Sequence, residues 1–136
     1  MRTAFLFLLA VLVSPSLIVT SAQSADLCPG GQPAVVRVSK ILPKGSMAGF
    51  REAARDHAAW YRAKGIAVTQ LVAPVVVYNA KARAQVASDR QVMTVRLGSA
   101  DMSRAKTDAG WAAFVSKYKA NSTVVSETRT CWPKGV

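Results

Sequence analysis

The chain has 136 residues, 51% of them hydrophobic, and carries 18 Lys and Arg against 7 Asp and Glu for a formal net charge of +11. One histidine excludes His-rich metal centres and two-histidine relays, and the few carboxylates, none paired at a useful spacing, argue against glycosidase and metal-carboxylate chemistry. Neither a GxSxG nucleophile turn nor a phosphate-cradling GxxxxGK stretch occurs.

The N-terminal stretch reads as a secretory signal. One basic residue, Arg2, precedes an apolar run from Ala4 to Val13, and small residues follow up to Ala25. The unbroken run is shorter than the roughly 20 residues that a bilayer requires. Cleavage near Ala25 leaves residues 26–136 as a single domain in the periplasm or outside the cell. Without Arg2 this domain has 17 basic against 7 acidic side chains, a formal charge of +10. Such a surface attracts an anionic surface or polymer, although the same charge serves solubility alone.

Along the domain, "DLCPGGQP" (26–33) is turn-rich. "AVVRVSKIL" (34–42) is β-branched and reads as a strand, ended by Pro43 to Gly45. Ser46 caps a helix over 47–64, with Gly65 as its stop. Residues 66–78 return to strand, with a bulge or edge signalled by Ala73-Pro74. The polar and basic stretch 79–91 reads as a hairpin loop, partly helical at most, and 92–97 as a strand. Residues 98–106 connect to a helix capped by Thr107 and running to Asn121, with Trp111, Phe114, Val115 and Tyr118 on one stripe. Residues 123–132 alternate as a last strand.

The order β-α-β-β-α-β predicts a ferredoxin-like α+β fold, an antiparallel sheet ordered 4-1-3-2 with two helices on one face. Strands 1 and 4 are then antiparallel neighbours. This brings Cys28, at the start of one, beside Cys131, at the end of the other. An isolated cysteine pair in an exported chain reads most simply as a disulfide. The two inferences are separate and agree.

With the elements placed, the stretch from Arg37 to Lys44 running into "GSMAGFREAARDHAAWYRAKG", the long second strand, and "ADMSRAKTDAGWAAFVSKYKANSTVV" together resemble the dimeric α+β barrel superfamily, which includes antibiotic-biosynthesis-monooxygenase-like and NIPSNAP-like domains. The resemblance spans nearly the whole exported domain. It implies a homodimer whose two sheets close into a barrel, with a pocket in each subunit between sheet and helices. Members that are enzymes often oxidise aromatic substrates without metal or organic cofactor, or use haem, and others have no known activity. Their catalytic residues vary, so none is carried over by position.

At 100° per residue, Phe50, Ala54, His57, Trp60, Tyr61 and Lys64 share one side of the first helix. His57 is therefore the candidate catalytic base, set against the plainer reading of a packed histidine satisfied by a carbonyl or water. Trp60, Tyr61, Trp111 and Phe114 are candidates to line a site for a flat apolar ligand, and Tyr78 and Asn79 to orient a ligand oxygen at a strand end. Core packing and turn chemistry are the respective alternatives. No metal site and no cofactor are predicted. The loop carrying Lys81, Arg83 and Arg90 lacks the interleaved aromatics that nucleic-acid stacking needs. Asn121-Ser122-Thr123 matches a glycosylation acceptor. Two functions follow: an exported domain binding a small apolar molecule, with cofactor-independent oxidation as its reaction if it is an enzyme, or a non-enzymatic envelope protein docking an anionic partner.

Overall fold

A computed structural model describes residues 27–99 and 108–134. The expected signal segment and most of the connection before the second helix lie outside the described residues, and so does the expected cap Thr107. The elements are β1 (Gly31–Ile41), α1 (Met47–Ala63), β2 (Thr69–Asn79), β3 (Ala84–Leu97), α2 (Ala109–Asn121) and β4 (Ser122–Pro133). They form one antiparallel sheet of order β2-β3-β1-β4, the ferredoxin-like arrangement expected. Among the described residues no helix is long and apolar enough to cross a membrane.

Register assigns the two faces of the sheet. Arg37 lies opposite Thr94, Val35 opposite Arg96, and Arg96 opposite Gln70, so these side chains share a face by the period of two. Both helices pack on that face. Phe50 of α1 joins Ile41 and Val92, with Met47 and Tyr118 beside them. On the opposite face Ala34, Val95 and Leu97 cluster with Val36, Met93 and Trp132, strand residues only.

The first helix begins where its sequence directs. Ser46 has extended backbone, and its hydroxyl oxygen accepts from Gly49 N at 2.9 Å. Gly65 follows the helix with φ +64, in the left-handed region. The buried stripe is Phe50, Ala53, Ala54, His57, Trp60 and Tyr61. Lys64, expected on that stripe, is exposed instead, because its ammonium pairs with the Asp108 carboxylate at 2.6 Å. Asp108 caps α2, accepting from Gly110 N at 2.7 Å and Trp111 N at 3.3 Å. The cap sits one residue beyond the expected Thr107, because a carboxylate answers both the helix N–H groups and Lys64. Lys64 first, then the Trp60 N–H, holds the Asp108 carboxyl down to about 2.

Two further departures concern strands. Residues 84–91 belong to β3 rather than to a loop, and the turn is confined to 80–83. Asn79 Oδ1 accepts from Ala82 N at 3.0 Å and Arg83 adopts φ 51, which closes the chain tightly enough for Ala84 to pair with Asn79. The pairing register shifts between Pro74 and Val76, so the irregularity expected at Ala73-Pro74 is present.

Cys28 and Cys131 form the expected disulfide, with Cα atoms 5.4 Å apart, and Pro33 lies opposite Cys131 in the β1–β4 ladder. The bond closes a separation of 103 residues, worth up to about 4.7 kcal/mol in the chain-entropy view. At the other end of the sheet, Asn121 ties the helices together. Its Oδ1 accepts from Ser46 N at 2.9 Å and its Nδ2 donates to Lys117 O at 2.8 Å. The side-chain nitrogen that a glycan would occupy is thus engaged within the fold. Gly45 and Gly49 allow this approach, since a Cβ on either would collide with Asn121. Gly49→Ala is therefore expected to destabilise the domain by about 1–3 kcal/mol through overpacking, read as a lower urea midpoint with unchanged slope; an unchanged midpoint would contradict the close approach.

Candidate functional site

Between the helices and the sheet lies a cavity of about 380 Å³. This is within the range of small-molecule sites, roughly 300–1,000 Å³. The sheet supplies Arg37, Ser39, Gln70, Thr94 and Arg96 as its floor. Above it stand His57 and Tyr61 of α1, with Trp111, Phe114, Val115 and Tyr118 of α2. The α2 stripe is only partly covered, Phe114 being buried and Trp111, Val115 and Tyr118 half-buried, because it faces this space rather than a filled core.

His57 is the hinge of the wall. Its ring stacks on Tyr61 at 4.4 Å and on Phe114 at 4.1 Å, one on each side. Trp111 and Tyr118 meet it edge-on at 5.7 and 6.0 Å. With both faces covered, only the ring edge is left for polar contact. Nε2 is buried and has no hydrogen-bond partner. Burial first, then the charges of Arg37 and Arg96, pushes its pKa down to about 4. The imidazole is consequently neutral at pH 7, able to donate or accept one hydrogen bond but weak as a base.

The polar groups of the floor are unevenly satisfied. Arg37 Nε donates to Glu127 Oε2 at 2.7 Å across the β1–β4 ladder, and this holds the Glu127 carboxyl below its usual range. Arg96 Nε is buried without a partner. Gln70 Nε2 donates to the Tyr118 hydroxyl at 3.1 Å. Burial pushes the Tyr118 phenol up to about 12, so it keeps its proton at any ordinary pH.

Of the residues singled out from sequence, the structure brings His57, Tyr61, Trp111 and Phe114 together around this cavity. Trp60 is not among its lining residues. Its indole N–H donates to Asp108 Oδ1 at 3.1 Å, and the ring packs at the helix–helix seam against Trp111 and Phe114. Tyr78 and Asn79 lie at the exposed tip of the β2–β3 hairpin, where Asn79 shapes the turn. Arg37, Gln70, Thr94 and Arg96 were not anticipated as site residues. Their signal was present in the alternation of β1, β2 and β3, which sets a charged or polar side chain at an inward position of a strand otherwise rich in valine. Among the described residues, no three His, Cys, Asp or Glu side chains cluster so as to hold a metal ion.

No protein-family model matches the chain, and no curated protein matches it. Among solved structures it is similar to the crystal structure of SnoaB, a cofactor-independent oxygenase from Streptomyces nogalater, at 16% sequence identity and a TM-score of 0.44, over 74% of this chain and 91% of that one. A likeness of that degree assigns neither activity nor residue roles.

The lowered His57 pKa has a consequence for stability. Between pH 6.5 and 4 the unfolded chain binds a proton at His57 that the folded chain does not, so stability falls as pH drops through that window. The loss is about 3 kcal/mol. Urea midpoints measured from pH 7 to 4 should show it, and His57→Gln should remove most of the slope; equal slopes in both proteins would show that His57 titrates normally.

Proposed function

We propose that this chain is an exported domain that binds a small, flat, largely apolar molecule in the cavity beside His57. The observation that carries the reading is the aromatic cavity itself, walled by Tyr61, Trp111, Phe114 and Tyr118 and bordered by a buried imidazole edge without a partner. A protein serving only to display basic surface has no need of an unfilled aromatic space with orphaned polar atoms, which cost about 1–3 kcal/mol each when left unmade. Export is supported by the Cys28–Cys131 bond, which suits an oxidising compartment. Binding is placed ahead of oxidation, because a base of pKa about 4 gives little driving force for proton abstraction at neutral pH.

The test uses a neutral probe, naphthalene-2-carboxamide, followed by tryptophan fluorescence. Trp111 stands in the wall, so binding should quench or shift emission saturably. Val115→Trp, which fills the cavity, should weaken binding at least about tenfold. No saturable change with this probe or with the matching carboxylate, or equal affinity in Val115→Trp, would remove the cavity from the function.

The second sheet face supports a homodimer. Val36, Met93 and Trp132 lie there half-buried with no helix over them among the described residues, and Leu71, on the same face by register with Val95, is 45% exposed. A sheet with one apolar face open is satisfied by a second copy packed face to face. Sedimentation should give the mass of two chains, and Leu71→Lys should shift it towards one; a wild-type monomer at high micromolar concentration would contradict the dimer.

A further inference from the structure

The cavity floor holds more positive charge than its surroundings neutralise. Arg37 and Arg96 are diagonal neighbours across the β1–β3 ladder. Glu127 answers Arg37. Arg129 also reaches Glu127, at 3.6 Å, so that carboxylate is already shared. Arg96 has no ion pair among the described residues, and its Nε is buried without a hydrogen bond. Lys119 adds a further cation to the lining. The remaining carboxylates of the helices are committed elsewhere, Glu52 and Asp56 to Lys117 and Asp108 to Lys64. Asp89 lines a separate groove formed with Arg51 and Arg55.

An unpaired, partly buried cation is unfavourable unless a counter-charge reaches it. The imidazole above gives no help, since it is neutral and is itself disfavoured as a cation by both arginines. The Tyr118 oxygen accepts from Gln70, which leaves the phenolic proton to donate. His57, 8% exposed, contributes a second unpartnered polar atom to the same lining. Cations, a phenolic donor and an imidazole edge on one side, with aromatic walls on the other, define an amphipathic ligand.

We propose that the cavity takes an aromatic carboxylate, its one or two fused rings against Trp111, Phe114 and Val115 and its carboxylate on the Arg96 guanidinium with Arg37 alongside. This rests on the reading of the cavity as a binding site and specifies which molecules fill it. The carboxylate replaces the missing counter-charge at Arg96, and a charge-assisted hydrogen bond of that kind is favoured by the partly dry surroundings. A neutral flat molecule makes the ring contacts and leaves Arg96 unanswered.

The experiment compares naphthalene-2-carboxylate with naphthalene-2-carboxamide, isosteric probes differing in charge, by calorimetry on the disulfide-bonded domain. The carboxylate is expected to bind at least about tenfold more tightly. Arg96→Gln should erase that preference, and Arg96→Lys should keep part of it. Equal affinity of the two probes for the wild-type protein would overturn the proposal and leave the cavity reading intact, as would a preference that survives in Arg96→Gln. Saturable binding of neither probe would overturn both. If Arg96→Gln does not fold, the wild-type comparison decides alone.

Discussion

His57 is held between two aromatic faces, Tyr61 from its own helix and Phe114 from α2, and this three-ring stack fixes how the helices meet above the sheet. Phe114 is 2% exposed and Tyr61 likewise, so the two rings that cover His57 are themselves nearly dry. Aromatic pairs of this sort add about 0.5–1.5 kcal/mol each beyond the area they bury. The rings hold α1 and α2 together on one side and leave a space beneath them on the other. The cavity follows from that arrangement: the stack fills the seam between the helices but does not reach down to Arg37, Thr94 and Arg96.

The dryness of the stack and the charge beneath it act in the same direction. Desolvation disfavours the imidazolium, and the two arginines repel it. Glu127 offsets Arg37 from β4. The result is a site where the histidine is the neutral partner and the arginines carry the charge. Chemistry that needs a strong base is poorly served by this arrangement. Recognition of a flat molecule with a negative end is well served, because each wall of the cavity supplies one part of it. The disulfide at one end of β1–β4 and Asn121 at the other keep the frame in place, so the two arginines stay on adjacent strands at fixed register.

The architecture was largely legible in the sequence because its signals are local and redundant. Ser46 and Gly65 bracket α1, valine-rich runs mark the strands, and the strand order and the cysteines point to the same closure. The region 84–91 was not legible. That part of β3 has five of its eight side chains exposed and none buried, so its sequence lacks the clear apolar alternation by which a core strand declares itself, and its pairing to Val76–Asn79 is carried by backbone hydrogen bonds. Lys64 and Thr107 were misplaced for one reason: the Asp108 carboxylate reaches both a helix N-terminus and a lysine 44 positions earlier, a contact no local pattern encodes. Within the site, helical periodicity found His57, Tyr61, Trp111 and Phe114. It also selected Trp60, which shares the stripe but turns into the helix seam, where Asp108 takes its N–H. The arginines of the floor escaped notice because a basic residue in a basic chain carries little information until the register puts two of them side by side.

The most direct measurement is a proton and nitrogen NMR titration of the single imidazole in the folded domain. The account predicts that His57 stays neutral through the physiological range and protonates only near pH 4, with ring-current-shifted resonances from the flanking aromatics. An imidazole that titrates near 6.5 with ordinary shifts would place it in water, outside the stack, and would contradict the site.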